Sequence, residues 1–278
     1  MTGKPFYLTD TTLRDGEQRA GLAFDAGQKR RLALLLDRAG VQQIDAGIPA
    51  MGPEERETIG RIVENRVRAK ISVWNRMDEG DIRQSMTCRP DLIHISAPVS
   101  YVHIYSKLKK NKGWLVSRLL ACVSLARGAG FAVTVGFEDA SRADMSFLVS
   151  LTRQLKELGV RRVQFSDTVG VLTPGRTYDC VEELCRLGGL PVSFHGHNDL
   201  GFAVANALSA LRAGAETVET TLFGLGERAG NCDMAALIRA AAPAYSCRPT
   251  VGDCAAVEKQ AAAILFGLKN GKNEREFS

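Results

Sequence analysis

Two rhythms of apolar and polar positions take turns along this chain. Short runs that are apolar, or apolar at every second position, fall at 6–9, 41–46, 69–74, 92–95, 131–135, 162–165, 192–195 and 217–222 and read as strands. Between them, 25–39, 54–65, 80–86, 114–129, 143–158, 174–187 and 201–213 read as helices, and 233–241 begins an eighth. In the first helix Leu32, Leu35, Leu36 and Ala39 lie near one face, and Gly40 ends it; Pro174 stands in the first turn of another, where its missing N–H costs nothing. Eight strand–helix pairs predict an α/β chain folded as a closed (β/α)8 TIM barrel over residues 1–245. Residues 246–278 then hold a short helix at 255–268 and a polar tail at 269–278 that frays.

The rival is an open doubly wound sheet, which normally carries a Gly-rich turn after its first strand. Here that turn reads Arg14-Asp15-Gly16-Glu17-Gln18. Polar residues also follow several different strands: Asp45, His94, Glu138 and Asp139, Asp167 and Thr168, His195 and His197, Glu219. A barrel gathers such strand ends at one mouth, whereas an open sheet spreads them in a row.

Composition narrows the class further. With 45% hydrophobic and 24% charged residues the chain is of ordinary globular type, and its apolar runs are too short and too punctuated to span a membrane. The net charge of +5 is a mild excess; its densest basic run, Lys107 to Lys112, reads as a solvated loop and helix start, or as a patch that attracts an anionic substrate. No zinc finger or basic–aromatic repeat points to nucleic acid. Seven cysteines without ligand spacing, and no signal segment, lead us to expect reduced thiols and a cytoplasmic protein.

His195 and His197 stand two apart at a strand end, so both side chains leave the chain on one side. Imidazoles placed so can chelate a divalent ion, with Asp15 adding a carboxylate and Asn231 an amide oxygen; such a mixed site suits Mg²⁺, Mn²⁺ or Zn²⁺. The bland alternative is a pair of rim histidines that only hydrogen-bond. Arg14 and Gln18 can bind an oxoacid's carboxylate or carbonyl, or Arg14 can pair with Glu17 or Asp45. Arg142 can hold the far end of a substrate or pair with Glu138, and Thr168 can donate to a carboxylate or cap a turn. Asp139 or Ser141 reads as a helix cap, as does Asp199. The stretch 224–231 has three glycines but no phosphate-loop signature; Gly224 and Gly226 let it approach a ligand closely, and Glu227 can lock it by pairing with Arg228. Cys232 has the neighbourhood of a packing residue.

Three motifs together, Asp-Thr-Thr-Leu-Arg-Asp-Gly-Glu-Gln at 10–18, His-Gly-His-Asn-Asp-Leu-Gly at 195–201 and Gly-Glu-Arg-Ala-Gly-Asn at 226–231, resemble the homocitrate synthase and 2-isopropylmalate synthase family of metal-dependent barrel acyltransferases, over roughly residues 5–241. Ala-Gly-Leu-Ala-Phe at 20–24 and Gly-Ile-Pro-Ala-Met-Gly at 47–52 look like the nitrogen-fixation type of homocitrate synthase. The resemblance implies acetyl-CoA as co-substrate and 2-oxoglutarate as oxoacid. It places metal ligands on Asp15, His195, His197 and Asn231, and oxoacid contacts on Arg14, Gln18, Asp45, His94, Arg142 and Thr168, with Gly224, Gly226 and Asn231 shaping the cofactor side. The implied chemistry is an aldol-type addition followed by thioester hydrolysis, with Arg14 stabilising the alkoxide and Glu138, Glu219 or His94 as base.

Two departures qualify that expectation. The family usually carries Glu where this chain has Asp45, and its synthases continue past the barrel into subdomains that dimerise the enzyme and lend a histidine to the neighbouring site. A homodimer, or a barrel joined by a separate C-terminal subunit, is therefore expected, and the barrel alone can be a subunit that needs a partner to act. Related 2-isopropylmalate or citramalate synthase activity is the nearest alternative. A metal-dependent acyl-CoA lyase or aldolase is the other, although those enzymes usually carry a catalytic cysteine in the Gly-rich loop, and 224–231 has none.

Overall fold

The computed structural model describes residues 3–267. Eight parallel strands close into a barrel: β2 (Tyr7–Asp10), β3 (Gln43–Asp45), β4 (Lys70–Arg76), β5 (Leu92–Pro98), β6 (Ala132–Glu138), β7 (Arg162–Asp167), β8 (Val192–Gly196) and β9 (Thr217–Thr220). Pairing of β2 with β9, Tyr7 opposite Thr217 through Asp10 opposite Thr220, shuts the ring. Each strand is followed by a helix: α1 (Ala26–Ala39), α2 (Pro53–Asn65), α3 (Glu79–Thr87), α4 (Lys112–Gly128), α5 (Met145–Glu157), α6 (Pro174–Gly188), α7 (Ala203–Ala213) and α8 (Met234–Ala241). The expected (β/α)8 architecture is the one observed.

The main core is the layer between strands and helices. Leu8, Ile44, Ile71, Ile93, Phe137, Phe165 and Phe194 are fully buried there, consistent with period-two alternation along each strand. The alternate positions face inward, and they are polar: Thr9, Gln43, Ser72, His94, Thr134, Gln164, Ser193 and Glu219 are all buried. A hydropathy reading therefore stops several strands too early. β5, β6 and β7 run on to Pro98, Glu138 and Asp167 because Ser96, Glu138 and Ser166 continue the ladder with their side chains in the barrel.

Local chemistry sets the helix ends. Asp25 accepts the Gln28 N–H while Gln28 returns a bond to the Asp25 N–H, a capping box, and α1 ends at Gly40 in the left-handed region, φ 98°. Asp144 caps α5, which corrects the expectation that Asp139 or Ser141 would do so. The side chain of Asn198 accepts the Ala203 N–H at the start of α7, while Asp199 pairs instead with Arg228.

Two features were not foreseen. β1 (Lys4–Pro5) pairs with β10 (Tyr245–Ser246) beside the barrel, and residues Val102–Lys107 form a π-helix where a loop was expected. α9 (Val251–Phe266) packs on α1 and α8, close to the anticipated C-terminal helix; position 268 of that helix and the polar tail at 269–278 lie outside the described residues. Among the described residues no helix is long and apolar enough to cross a membrane.

Candidate metal centre and oxoacid pocket

The turn after β2 is wound on one carbonyl. Thr11 O accepts the N–H groups of Arg14, Asp15 and Gly16 at 3.2, 2.8 and 3.0 Å. Asp10 accepts the Thr12 N–H (2.9 Å) and hydroxyl (3.1 Å), and Thr12 Oγ1 in turn accepts the Leu222 N–H (2.8 Å). The first and last βα loops are thus tied together, and Asp15 comes to rest over the barrel axis. Behind it, buried Lys29 of α1 bridges Glu17 (2.7 Å) and Glu55 (2.8 Å), fixing the motif to α1 and α2.

His195 is the penultimate residue of β8 and His197 follows the strand's end. Their Nε2 atoms are 3.2 Å apart and lie 3.4 and 3.8 Å from Asp15 Oδ2. Asn231 arrives by a second route. The 224–231 loop lies along the histidine loop, with His197 bridged to Asn231 and the Asn198 N–H bonded to Gly230 O at 2.9 Å. Gly226 lies directly against the Asn231 side chain, where any Cβ would overlap it, and Gly224 O accepts the Asn231 N–H at 3.0 Å. The two glycines shape the turn that delivers Asn231; neither lines the cavity.

The donor set fits a divalent metal. Ligand atoms of Asp15, His195 and His197 lie within 4.8 Å of one another. Among the described residues Asp15 Oδ2 and Asn231 Oδ1 are buried with no hydrogen-bond partner, an arrangement costly in free energy unless a cation takes their lone pairs. Glu219 Oε2 stands 3.3 Å from His195 Nδ1, the carboxylate–imidazole support that orients a metal-binding histidine.

Electrostatics favour the ligating forms of His197 and Asp15, and the protonated form of His195 in the absence of a metal. Burial drives the His197 imidazole down to about 4, with His195 adding to the shift, so it is neutral and free to ligate at pH 7. Burial would raise Asp15, but Arg14 and the two histidines outweigh it and hold its carboxyl below the usual range. Burial would likewise lower His195; the hydrogen bond with Glu219 and the charges of Asp15 and Glu219 outweigh it and raise it.

A cavity of about 230 Å³ opens beside these ligands, lined among others by Arg14, Gln18, Trp74, Ser96, Lys107, Glu138, Gln164, Ser166, Thr168 and Glu227. Arg14 is held by Asp45, Nε to Oδ2 2.8 Å, so Asp45 lies behind the arginine rather than in the cavity wall. Of the pairings considered for Arg14, Asp45 forms and Glu17 does not, since Glu17 is taken by Lys29. Burial, with Glu219 and Asp15 nearby, raises Asp45 to about 6 against the pull of Arg14. Thr168 Oγ1 accepts the Asp139 N–H at 2.8 Å, which leaves its hydroxyl proton free to donate. His94 is buried deeper in the barrel, Nδ1 2.9 Å from Thr134 Oγ1, and burial lowers it to about 4. Its ring occupies the space a side chain on Gly136 would need.

Arg142 is not in the cavity wall. It is clamped by Asp139, Nη2 to Oδ2 2.6 Å, which corrects the anticipated pairing with Glu138. Glu138 is engaged instead by His103 and Lys107. Sequence reading missed Trp74, Ser96, Gln164 and Ser166; the signal was their inward register with His94 and Glu138 on the extended strands. A larger cavity of about 370 Å³, lined by Lys70, Arg161 and Arg162 among others, opens at the opposite end of the barrel and contains none of the metal-type ligands.

Comparison with known proteins gives the same picture. Residues 5–252 match the HMGL-like family model. Over 237 residues, 85% of this chain, the sequence is 43% identical to 2-isopropylmalate synthase 2 of Caldanaerobacter subterraneus, of which it spans only 62%. It is 42% identical to homocitrate synthase subunit alpha of Clostridium pasteurianum over 84% of this chain and 86% of that protein. Among solved structures the fold resembles the HMG-CoA lyase of Brucella melitensis, with TM-score 0.80, 18% identity, 94% of this chain and 99% of that one covered.

Proposed function

The chain belongs to the HMGL-like family, and on that premise we propose that it is the metal-dependent barrel of a homocitrate synthase-like acyltransferase that condenses acetyl-CoA with 2-oxoglutarate. The observation that carries this reading is the convergence of Asp15, His195 and His197 on one buried point beside the Arg14 guanidinium. A divalent metal held there, with Asn231, would polarise the carbonyl of a chelated 2-oxoacid. Arg14, oriented by Asp45, donates to the oxygen that becomes an alkoxide, and Gln18 and Thr168 offer donors to substrate carboxylates. Glu138 faces the same cavity and takes the proton from the acetyl methyl group. The resulting enolate carbon adds to the keto carbon, and water then hydrolyses the thioester to release CoA.

Among the titratable candidates for the base, His94 and Glu219 are less suited. Both are buried, His94 against Thr134 and Glu219 against His195, and neither lines the cavity. A lyase reading has no thiol to rest on: Cys232 is buried and its thiol pushed up by burial. A second reading is a barrel that acts with a partner chain: the sequence is 42% identical to a protein named as a homocitrate synthase subunit, over 86% of that protein.

The test is CoA release by the purified chain with Mg²⁺ or Mn²⁺, acetyl-CoA and 2-oxoglutarate, with 2-oxoisovalerate and pyruvate in parallel. Release with 2-oxoglutarate supports the proposal. Release only with 2-oxoisovalerate or pyruvate moves the assignment to 2-isopropylmalate or citramalate synthesis. Binding of 2-oxoglutarate without turnover points to the subunit reading.

A further inference from the structure

The corner where β6 ends is held unusually firmly. Asp139 follows Glu138 in the left-handed region, φ 62°, a conformation that a non-glycine residue keeps only where its surroundings enforce it. Three contacts do so. The Asp139 N–H donates to Thr168 Oγ1, its carboxylate clamps Arg142, and His103 Nε2 lies 3.8 Å from Asp139 Oδ2. The other face of the same imidazole meets Glu138, Nδ1 to Oε1 3.1 Å. Lys107 Nζ reaches that same oxygen at 3.3 Å. The second oxygen, Oε2, is turned toward the cavity-lining Ser96, whose Oγ is 3.5 Å away.

His103 and Lys107 both belong to the π-helix Val102–Lys107, closed by the Leu108 N–H to His103 O bond at 2.9 Å. Its wide turn sets residues four apart on one face, so both groups meet one carboxylate. Isolated π-turns recur at functional sites. Fold stability does not account for this pairing: Lys107 is largely exposed, and exposed ion pairs add little to folding.

We infer that His103 and Lys107 are positioning residues for Glu138, pinning one oxygen of its carboxylate so that the other faces the substrate as proton acceptor. This rests on the reading of Glu138 as the base. The titratable and charged groups on the corner are His103 and Lys107 from the π-helix and Asp139 with Arg142 from the β6 loop; Arg14, Asp15, His195, His197 and Glu227 border the cavity from other loops.

The test compares Lys107→Met, His103→Asn and Lys107→Arg, each also combined with Glu138→Gln, in the metal-loaded protein. Freeing the carboxylate from its pin is expected to lower kcat about 10-fold with KM nearly unchanged, and Lys107→Arg restores kcat. In the Glu138→Gln background neither substitution adds a further loss. A rise in KM with kcat unchanged, or additive losses, would show a merely structural role and overturn the inference.

A second measurement reads the carboxylate without turnover. In Mg²⁺-loaded protein carrying ¹³C at its glutamate carboxyls, the Glu138 resonance is identified by its absence in Glu138→Gln, and its chemical shift at fixed pH should differ from wild type in Lys107→Met and His103→Asn. No movement sinks the positioning role even in an active enzyme. Movement in a chain that releases no CoA sustains the positioning and removes the assigned reaction instead.

Discussion

Replacing Glu219 by Gln keeps the shape of the side chain and removes its charge from behind His195. The contact is Oε2 to Nδ1, 3.3 Å, between side chains only 6% and 8% exposed, so solvent screens it little. Loss of such a supporting carboxylate typically costs 10- to 100-fold in metal affinity, about 1.4–2.7 kcal/mol. Arg14 and His94 also face Glu219, and Arg14 loses a favourable neighbour with it; Gln can still accept from Nδ1, so about 10-fold is expected. The pH dependence carries the sharper test. Burial opposes a proton on His195, but Glu219 and Asp15 outweigh it, and the imidazole titrates above its ordinary 6.5. In the metal-free protein the stability this proton contributes is complete below about pH 6.5 and is lost as the pH rises through the higher folded value. A metal must displace that proton, so wild-type affinity rises with pH through the same window. Glu219→Gln lowers the His195 value and flattens that rise. Calorimetric titration with Mn²⁺ should find the variant about 10-fold weaker near pH 8.5 and closer to wild type near pH 6. Equal affinities near pH 8.5, or one constant ratio across the range, would refute the proposed support of His195.

Asp15→Asn and His195→Ala should each lower both metal content, read by elemental analysis, and turnover; normal values of both would rule out the coordination. Arg14→Ala should cut turnover while leaving metal content near wild type, because Arg14 faces the cavity while the metal-type cluster is Asp15, His195 and His197. Lys29→Met leaves the half-buried carboxylates of Glu17 and Glu55 without their cation and is expected to cost about 1.5–3 kcal/mol in chemical denaturation, a loss below about 1 kcal/mol being incompatible with the geometry described. Gly226→Ala forces the Asn231 side chain aside, so metal retention should fall while the circular dichroism of the barrel is unchanged; retention of full metal content would remove Asn231 from the ligand set.

Much of this protein is determined by its sequence alone. Alternating strands and helices specify the barrel, because period two and period three to four bury different faces, and the motifs around Asp15, His195 and Asn231 carry donors of metal-binding type wherever they lie in the chain. Which groups meet was decided by tertiary structure. Closure of β2 on β9 carries Asp15 to His195 across a separation of 180 residues in chain order that no local pattern spans. The inward polar faces lengthened the strands beyond their apolar runs, since a barrel interior that holds a site need not be oily. Partner choice among equivalent charges was likewise illegible. Arg142 took Asp139 rather than Glu138, and Glu138 took His103 and Lys107, because a single left-handed residue at Asp139 turns two consecutive carboxylates in different directions. Sequence supplies the charges and their spacing; the distances that decide between them exist only once the backbone has turned.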